Sequence, residues 1–233
     1  MCIRDRLDHQ HQLINLIIIV NSLNKNIVSF NYLSDANEAL LTLFNELPKP
    51  ISRIVLSGGS TPISFYELLS DKDVSWSNYQ ILLSDERQVE VSSSLSNEGN
   101  IKTIINDHSF NRSFVSLLDE ESQSKLSAIE SYDLCILGMG NDGHIASIFP
   151  NMSNLEEALY GKASLLNLYD GYPDVSRVTM SLNEINKSDQ IILLIKGEKK
   201  FNLLMDKRVN NDRLPVDHLF TQMIDKIKVF KII

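Results

Sequence analysis

Cysteine, positive charge and long apolar runs are all scarce in this sequence, and each shortage excludes a class of protein. The 233 residues include only two cysteines, Cys2 and Cys135. Neither a disulfide framework nor a paired-cysteine metal site can be drawn from them, and a reducing compartment is expected. Lysine and arginine number 22 against 30 aspartate and glutamate, a formal net charge of −8, and no basic block offsets this balance. Nucleic acid is therefore not an expected partner.

No apolar run approaches the roughly twenty residues that a membrane helix requires. The apolar stretch Leu13–Val20 follows Arg4 and Arg6, as in a signal peptide, but it is short and no small-residue cleavage site comes after it. We therefore expect a soluble, cytoplasmic protein. Residues 1–12 lack periodicity and are expected to be a disordered or non-native head, with residues 13–233 forming a single domain. The oligomeric state is left open, with a monomer as the working expectation.

Short apolar runs that alternate with helical segments predict the fold class. The runs typical of buried strands are Ile54–Leu56, Ile81–Leu83, Leu134–Leu137, Ile191–Ile195 and Ile227–Ile233. An amphipathic helix is predicted at Asp35–Leu47, and Leu13–Val20 with Ile27–Tyr32 fits either an edge hairpin or two successive strands. Repeated strand, turn and helix units predict an α/β fold, a doubly wound and mostly parallel sheet with helices on both faces.

The stretch Tyr132–Pro150 places a glycine turn and two ionisable residues directly after one predicted strand. Asp142 and His144 lie in this turn, where an open α/β sheet binds its ligands. The same residues also fit a plain strand-to-loop connection in which the histidine is structural. No metal site is indicated, because Cys2 and Cys135 form neither a CxxC pair nor a Cys/His site.

The segment Ser57–Pro62 has the form of an anion-binding turn between a strand and a helix. Backbone amides at a helix start attract a phosphate, glycines permit close approach, and the serine and threonine hydroxyls add donors. The segment has neither the dinucleotide nor the mononucleotide fingerprint, so nucleotides are not favoured. An ordinary strand-to-helix turn is the alternative.

Charged residues follow two other predicted strands. Ser84–Arg87 comes after Ile81–Leu83, and we expect a loop at the same edge of the sheet as the other two turns, although such charged runs are often only solvated. Lys199 and Lys200 stand at a predicted helix start, where positive charge opposes the helix dipole. This placement suggests that one lysine faces an anion.

Three segments carry a resemblance to a known family. They are SGGSTP at Ser57–Pro62, SDER at Ser84–Arg87 with the following Ser96-Asn97, and GMGNDGHIASIFP at Gly138–Pro150. Together they resemble the 6-phosphogluconolactonase family. The segments Arg177–Thr179 and Gly197–Lys200 match as well. The resemblance implies a Rossmann-like sheet and hydrolysis of 6-phospho-D-glucono-1,5-lactone to 6-phosphogluconate in the pentose phosphate pathway. It also implies that no cofactor and no metal are needed, and that the partner is a small sugar-phosphate lactone.

The resemblance also implies roles for individual residues. His144 is the expected general base, a task suited to a side chain that exchanges protons near neutral pH. Asp85 is expected to orient the imidazole, Arg87 to hold substrate oxygens, and Asp142 to take either the orienting role or a substrate hydroxyl. The expected phosphate-binding residues are Gly58, Gly59, Ser60, Thr61, Arg177 and Lys200. For the negative charge that develops on the lactone oxygen, we infer the backbone amides of Gly138 and Gly140 as donors.

Two alternatives are retained. Glucosamine-6-phosphate deaminases and isomerases share the Gly-Gly-Ser-Thr-Pro turn and the Asp-Gly-His-Ile-Ala segment, so Ile145 favours them. They continue with Phe-Asn-Glu-Pro, whose glutamate assists ring opening, whereas this chain has Ser147–Pro150 without a carboxylate. The second alternative is a non-catalytic sugar-phosphate-binding protein, since a fold does not imply an activity.

Overall fold

The apolar runs of the sequence form one parallel sheet. The computed structural model describes residues 25–48, 50–169, 175–206 and 213–233. The six strands of this sheet are β1 Ile27–Phe30, β2 Ser52–Leu56, β3 Tyr79–Leu83, β5 Leu134–Gly138, β8 Ile191–Lys196 and β9 Ile227–Ile232. Their spatial order is β1-β9-β8-β5-β2-β3, and each neighbouring pair is parallel. The predicted doubly wound α/β fold is confirmed.

A second, three-stranded antiparallel sheet lies beside the first. Its strands are β4 Asp85–Arg87, β6 Leu165–Leu168 and β7 Arg177–Met180, in the order β4-β7-β6. The sequence predicted a loop at Ser84–Arg87, and this prediction is wrong, because Asp85–Arg87 pairs with β7. Strand β6 was not predicted at all.

Nine α-helices connect the strands within the described ranges. They are α1 Leu33–Asn45, α2 Ser60–Ser70, α3 Asn97–Ile105, α4 His108–Ser113, α5 Ser122–Ser127, α6 Leu155–Tyr160, α7 Leu182–Ile185, α8 Glu198–Met205 and α9 Pro215–Met223. Helix α1 buries Ala36, Leu40 and Phe44, which recur every four residues and so share one face. It begins two residues earlier than predicted. None of the helices in these ranges is both long enough and apolar enough to cross a membrane.

At the start of the chain, β1 confirms the strand that was predicted at Ile27–Tyr32. It pairs with β9 in parallel register and is the edge strand of the large sheet among the described strands. The predicted strand Leu13–Val20 and the predicted head at residues 1–12 lie outside the described residues.

The strand order places a crevice between β2 and β5. After β2 the chain moves to β3 on one side of the sheet, whereas after β5 it moves to β8 on the other. The loops that leave these two adjacent strands therefore separate at their carboxyl ends. In sheets of this type such a topological switch point is where ligands bind.

Candidate active site

Loops from both sheets meet above this switch point and enclose a cleft of about 310 Å³. All but one of the predicted site residues line it. They are Gly58, Gly59, Ser60, Thr61, Asp85, Arg87, Gly138, Gly140, His144, Arg177 and Lys200. The exception is Asp142, which lies behind His144 and contacts it. Local turns that are far apart in the sequence thus form one site.

The turn between β2 and α2 forms one wall of the cleft. Gly59 precedes the first helical residue and has a φ of 95°, a conformation that residues with a Cβ rarely adopt. Helix α2 begins at Ser60, so the amides of its first turn and the positive end of its dipole lie at the cleft. This geometry suits an anionic group of a ligand.

His144 and Asp142 form a hydrogen-bonded pair in the loop after β5. The imidazole Nδ1 lies 2.6 Å from Asp142 Oδ1, and the His144 amide donates to the same oxygen at 3.2 Å. Burial by itself would raise the pKa of Asp142, but the hydrogen bond and the charge of His144 outweigh it, and the pKa lies below its ordinary value. Because Nδ1 is held by the carboxylate, Nε2 is the imidazole nitrogen left for a ligand.

Gly140 supports the imidazole from the same loop. A Cβ added at this position would overlap both His144 Cε1 and His144 Nδ1, so the ring packs directly against the glycine backbone. The Gly140 amide donates to the His144 carbonyl at 2.9 Å. Since this donor is already used, the amide of Gly140 is not available to an oxyanion, and that part of the sequence prediction is corrected.

Phe149 packs against the His144 imidazole. Its ring centroid lies 4.5 Å from that of His144, and the Arg177 guanidinium carbon lies 5.5 Å from the same centroid. The phenyl ring therefore lies against both groups and limits the positions that each can adopt. The glutamate of the deaminase motif Phe-Asn-Glu-Pro would correspond to Phe149.

Arg87 and Arg177 bring two positive charges to one wall of the cleft. They are Cα partners in the antiparallel pair of β4 and β7, and both line the cleft. Burial, followed by the charge of Arg87, lowers the pKa of Arg177 below its ordinary value. Like charges directly opposite each other in a sheet are unfavourable. An anion bound between them would remove this repulsion.

Lys200 adds a third cation from the start of α8. Its ammonium donates to the Met139 carbonyl at 2.7 Å, which holds it above the loop that follows β5. The neighbouring Lys199 is exposed and does not line the cleft. The structure therefore places one of the two lysines toward the cleft.

Asp85 is held by groups other than the histidine. Its Oδ2 accepts from the Ser147 hydroxyl at 2.6 Å and its Oδ1 from the Ser84 hydroxyl at 3.1 Å. A guanidinium nitrogen of Arg177 lies 3.9 Å from Oδ2. The expectation that Asp85 orients the imidazole is corrected, because the carboxylate in contact with His144 is that of Asp142.

The sequence reasoning did not assign a role to Ser147 or Asn97. Ser147 is fully buried, and its hydroxyl lies between Asp85 and Arg177, whose guanidinium donates to it at 3.3 Å. Asn97 lines the cleft and donates to the Asp85 carbonyl at 3.0 Å. Its amide oxygen packs where Gly58 would otherwise carry a Cβ. The one available signal for Asn97 was its position after Ser96 in a motif of the resemblance.

Comparison with known proteins places this chain in a family. A family described as glucosamine-6-phosphate isomerases/6-phosphogluconolactonase matches residues 35–226. This chain belongs to that family. The match covers most of the described structure, including every loop of the cleft.

Named relatives lie on the lactonase side of the family. A 6-phosphogluconolactonase of Thermotoga maritima is 36% identical over 170 residues, which cover 66% of this chain and 73% of that protein. A 6-phosphogluconolactonase of Neisseria meningitidis is 32% identical over 161 residues, 63% of this chain and 70% of that protein. The crystal structure of a 6-phosphogluconolactonase from Shewanella baltica superposes with a TM-score of 0.79 at 29% identity, covering 89% of this chain and 97% of that one.

Proposed function

We propose that this protein hydrolyses 6-phospho-D-glucono-1,5-lactone to 6-phospho-D-gluconate and that His144 is the general base. The observation that carries the proposal is that the His144 imidazole, which is paired with Asp142, lines the same cleft as three cations. Hydrolysis of a phosphorylated lactone needs both a group that activates water and a site for the phosphate. The lactonases among the named relatives support the same substrate.

In the proposed reaction, His144 Nε2 removes a proton from a water molecule as the water oxygen attacks the lactone carbonyl carbon. A tetrahedral intermediate forms, and its carbonyl oxygen becomes negatively charged. When the bond to the ring oxygen breaks, the imidazolium returns the proton to that oxygen, which becomes a hydroxyl of the product. Asp142 holds Nδ1 and stabilises the imidazolium through the 2.6 Å hydrogen bond. The amide of Gly138 remains our proposed donor to the intermediate.

The phosphate is proposed to lie between the start of α2 and the cations of the cleft. Gly58, Gly59, Ser60 and Thr61 supply the glycine turn and hydroxyl donors. Arg177 and Lys200 neutralise its charge, and Arg87 holds further substrate oxygens. Arginine offers a two-pronged grip on phosphate oxygens, whereas lysine acts as a point charge.

Phe149 argues against the deaminase alternative. A deaminase of this family uses the glutamate of Phe-Asn-Glu-Pro in ring opening, and this chain has a phenyl ring at the corresponding position, in contact with His144. A phenyl ring can neither donate nor accept the proton that ring opening moves. A non-catalytic sugar-phosphate-binding role would not require the His144–Asp142 pair.

One assay with two substrates tests the proposal. Freshly generated 6-phosphogluconolactone and glucosamine 6-phosphate are supplied separately, and acid release and ammonia release are followed. We expect rapid acid release from the lactone, above its spontaneous hydrolysis, and no ammonia. Ammonia release would favour the deaminase, and binding without either product would favour the non-catalytic alternative.

The proposal includes a reaction without a metal or another cofactor. Among the described residues, no group of three or more His, Cys, Asp or Glu side chains is arranged to hold a metal ion. Chelator treatment should therefore leave lactone hydrolysis unchanged, and a loss of activity restored by zinc would contradict this part.

We also propose a cytoplasmic location, where the buried free thiol of Cys135 would stay reduced.

A further inference from the structure

Glu86 is a carboxylate with no exposed surface, and it lies between two residues of the cleft on β4. Its neighbours Asp85 and Arg87 line the cleft, whereas Glu86 does not. Successive residues of a strand point to opposite faces, so the Glu86 side chain lies on the face away from the cleft. A charged side chain is rarely buried in this way without specific partners.

The partners of this carboxylate are four hydrogen-bond donors. Oε1 accepts from the amides of Arg87 at 2.6 Å and Asn97 at 2.8 Å. Oε2 accepts from the Glu98 amide at 2.7 Å and the Ser96 hydroxyl at 3.0 Å. Three of these donors belong to the start of α3. Glu86 therefore binds the positive end of that helix from a different element of the fold.

The segment held by Glu86 returns to the cleft at two points. The carbonyl of Leu95, directly before the held residues, accepts from an Arg87 guanidinium nitrogen at 2.6 Å. The side chain of Asn97 donates to the Asp85 carbonyl and packs against Gly58 in the phosphate-binding turn. The position of the Arg87 guanidinium therefore depends on a segment that Glu86 holds in place.

We propose that Glu86 is a positioning residue for substrate binding, acting through the Leu95–Asn97 segment on Arg87 and Asn97. The buried carboxylate fixes the start of α3, and the Leu95 carbonyl then orients the Arg87 guanidinium. Asn97 contacts both Asp85 on β4 and Gly58, and so holds the glycine turn in position relative to β4. This inference rests on the proposed function, because it assigns Arg87 to the substrate.

Glu86→Gln is the informative substitution, because glutamine has nearly the same shape. Each carboxylate oxygen accepts two hydrogen bonds, and at least one of the two comes from a backbone N–H. The glutamine NH₂ group is itself a donor, so in place of either oxygen it would leave that backbone N–H without an acceptor. We expect KM for the phosphorylated lactone to rise about 10-fold or more, as for loss of a charge-assisted hydrogen bond, with a smaller fall in kcat.

Glu184→Gln provides a matched control for the loss of a buried carboxylate. Glu184 is 2% exposed, accepts from the Tyr132 hydroxyl at 2.5 Å and pairs with Lys187 at 2.9 Å, and it does not line the cleft. This variant should keep the wild-type KM even if its thermal stability falls. Circular dichroism and thermal melting establish that each variant is folded at the assay temperature.

A double-mutant cycle with Arg87→Met separates positioning from a purely structural role. If Glu86 acts on Arg87 as well as on Asn97, Glu86→Gln should raise KM by a clearly smaller factor in the Arg87→Met background than in the wild type, because interacting residues are not additive. An unchanged KM in folded Glu86→Gln overturns the proposal. The proposal is also overturned if the increase of KM in the double variant equals the product of the increases in the two single variants.

Ser96→Ala covers the case in which Glu86→Gln does not fold. It removes one of the four donors to Glu86 and should raise KM in the same direction but by less. An unchanged KM in this variant counts against the proposal.

Binding of 6-phosphogluconate, measured by calorimetry, is followed in parallel. A wild-type protein that binds this product without hydrolysing the lactone contradicts the proposed function, whereas the dissociation constants of the variants still test Glu86.

Discussion

Arg87 and Arg177 face each other as Cα partners across the antiparallel pair of β4 and β7, and both line the same cleft. The pKa of Arg177 is lowered, first by burial and then by the charge of Arg87. The two opposed and partly desolvated cations repel each other, and the Asp85 carboxylate, whose Oδ2 lies 3.9 Å from an Arg177 guanidinium nitrogen, offsets part of this repulsion. In the proposed complex the phosphate lies against Arg177 and other substrate oxygens lie against Arg87, so each cation gains a charge-assisted contact.

Arg177→Met tests this arrangement, since methionine keeps much of the volume and removes the charge. We expect KM for the phosphorylated lactone to rise about 10- to 100-fold, the equivalent of one or two charge-assisted hydrogen bonds, with a smaller change in kcat. Inorganic phosphate should also raise the melting temperature of the wild type more than that of the variant. Equal phosphate shifts together with an unchanged KM would place the phosphate elsewhere.

Lys200→Met and Lys199→Met form a matched pair at the start of α8. Both substitutions remove one positive charge, but only Lys200 lines the cleft. KM should rise several-fold for Lys200→Met and stay at the wild-type value for Lys199→Met. Similar KM increases in both variants would mean that the general charge of the helix start matters, and not the placement of Lys200.

His144→Gln tests the general base. Removing a general base typically costs about 100- to 10,000-fold in rate, and kcat should fall within this range while the circular dichroism spectrum stays the same. His218→Gln is the control, because His218 pairs with the Tyr160 hydroxyl at 2.7 Å and does not line the cleft. Near-wild-type kcat in folded His144→Gln would exclude the proposed mechanism.

Asp142→Asn tests the imidazole partner through pH. Because the folded-state pKa of Asp142 lies below its ordinary value of 3.8, its contribution to stability is present above about pH 3.8 and is lost as the pH falls through the folded pKa. The wild type should therefore melt at a higher temperature than Asp142→Asn at neutral pH, and the two melting temperatures should converge in acid. A difference that does not change with pH would rule out this linkage.

Gly140→Ala tests the packing of the imidazole against the loop. The added methyl group would overlap the His144 ring, so we expect a loss of about 1–3 kcal/mol in unfolding free energy and a marked fall in kcat. In the His144→Ala background the ring is absent, and the same substitution should cost less stability. Chemical denaturation measures both differences, and equal costs in the two backgrounds would show that the ring is not the obstacle.

The large sheet was predictable because each of its central strands is a short apolar run, a local property of the sequence. The turns were predictable for the same reason, since Gly58, Gly59 and Pro62 mark a strand-to-helix connection by themselves. Strand β6 and the pairing of Asp85–Arg87 were missed. Short strands of an antiparallel sheet with mixed polarity carry little local signal, and their partners are distant in the sequence.

Carboxylate roles were the least predictable part of the site. Asp85, Glu86 and Asp142 all follow strands, and the sequence cannot tell which of them reaches the histidine. The structure pairs Asp142 with His144 and surrounds Asp85 with hydroxyls. Glu86 faces the start of α3 because it is the middle residue of a three-residue strand, whose flanking residues point to the opposite face.

By itself, the sequence determined which residue types are available and on which loops they lie, because apolar periodicity and glycine turns act over only a few residues. Only the tertiary structure decided which of these groups meet. The order of strands in the sheet brings the turns after β2 and β5 together, and the register of β4 with β7 places Arg87 opposite Arg177. Distances between side chains depend on these long-range pairings, which no local pattern encodes.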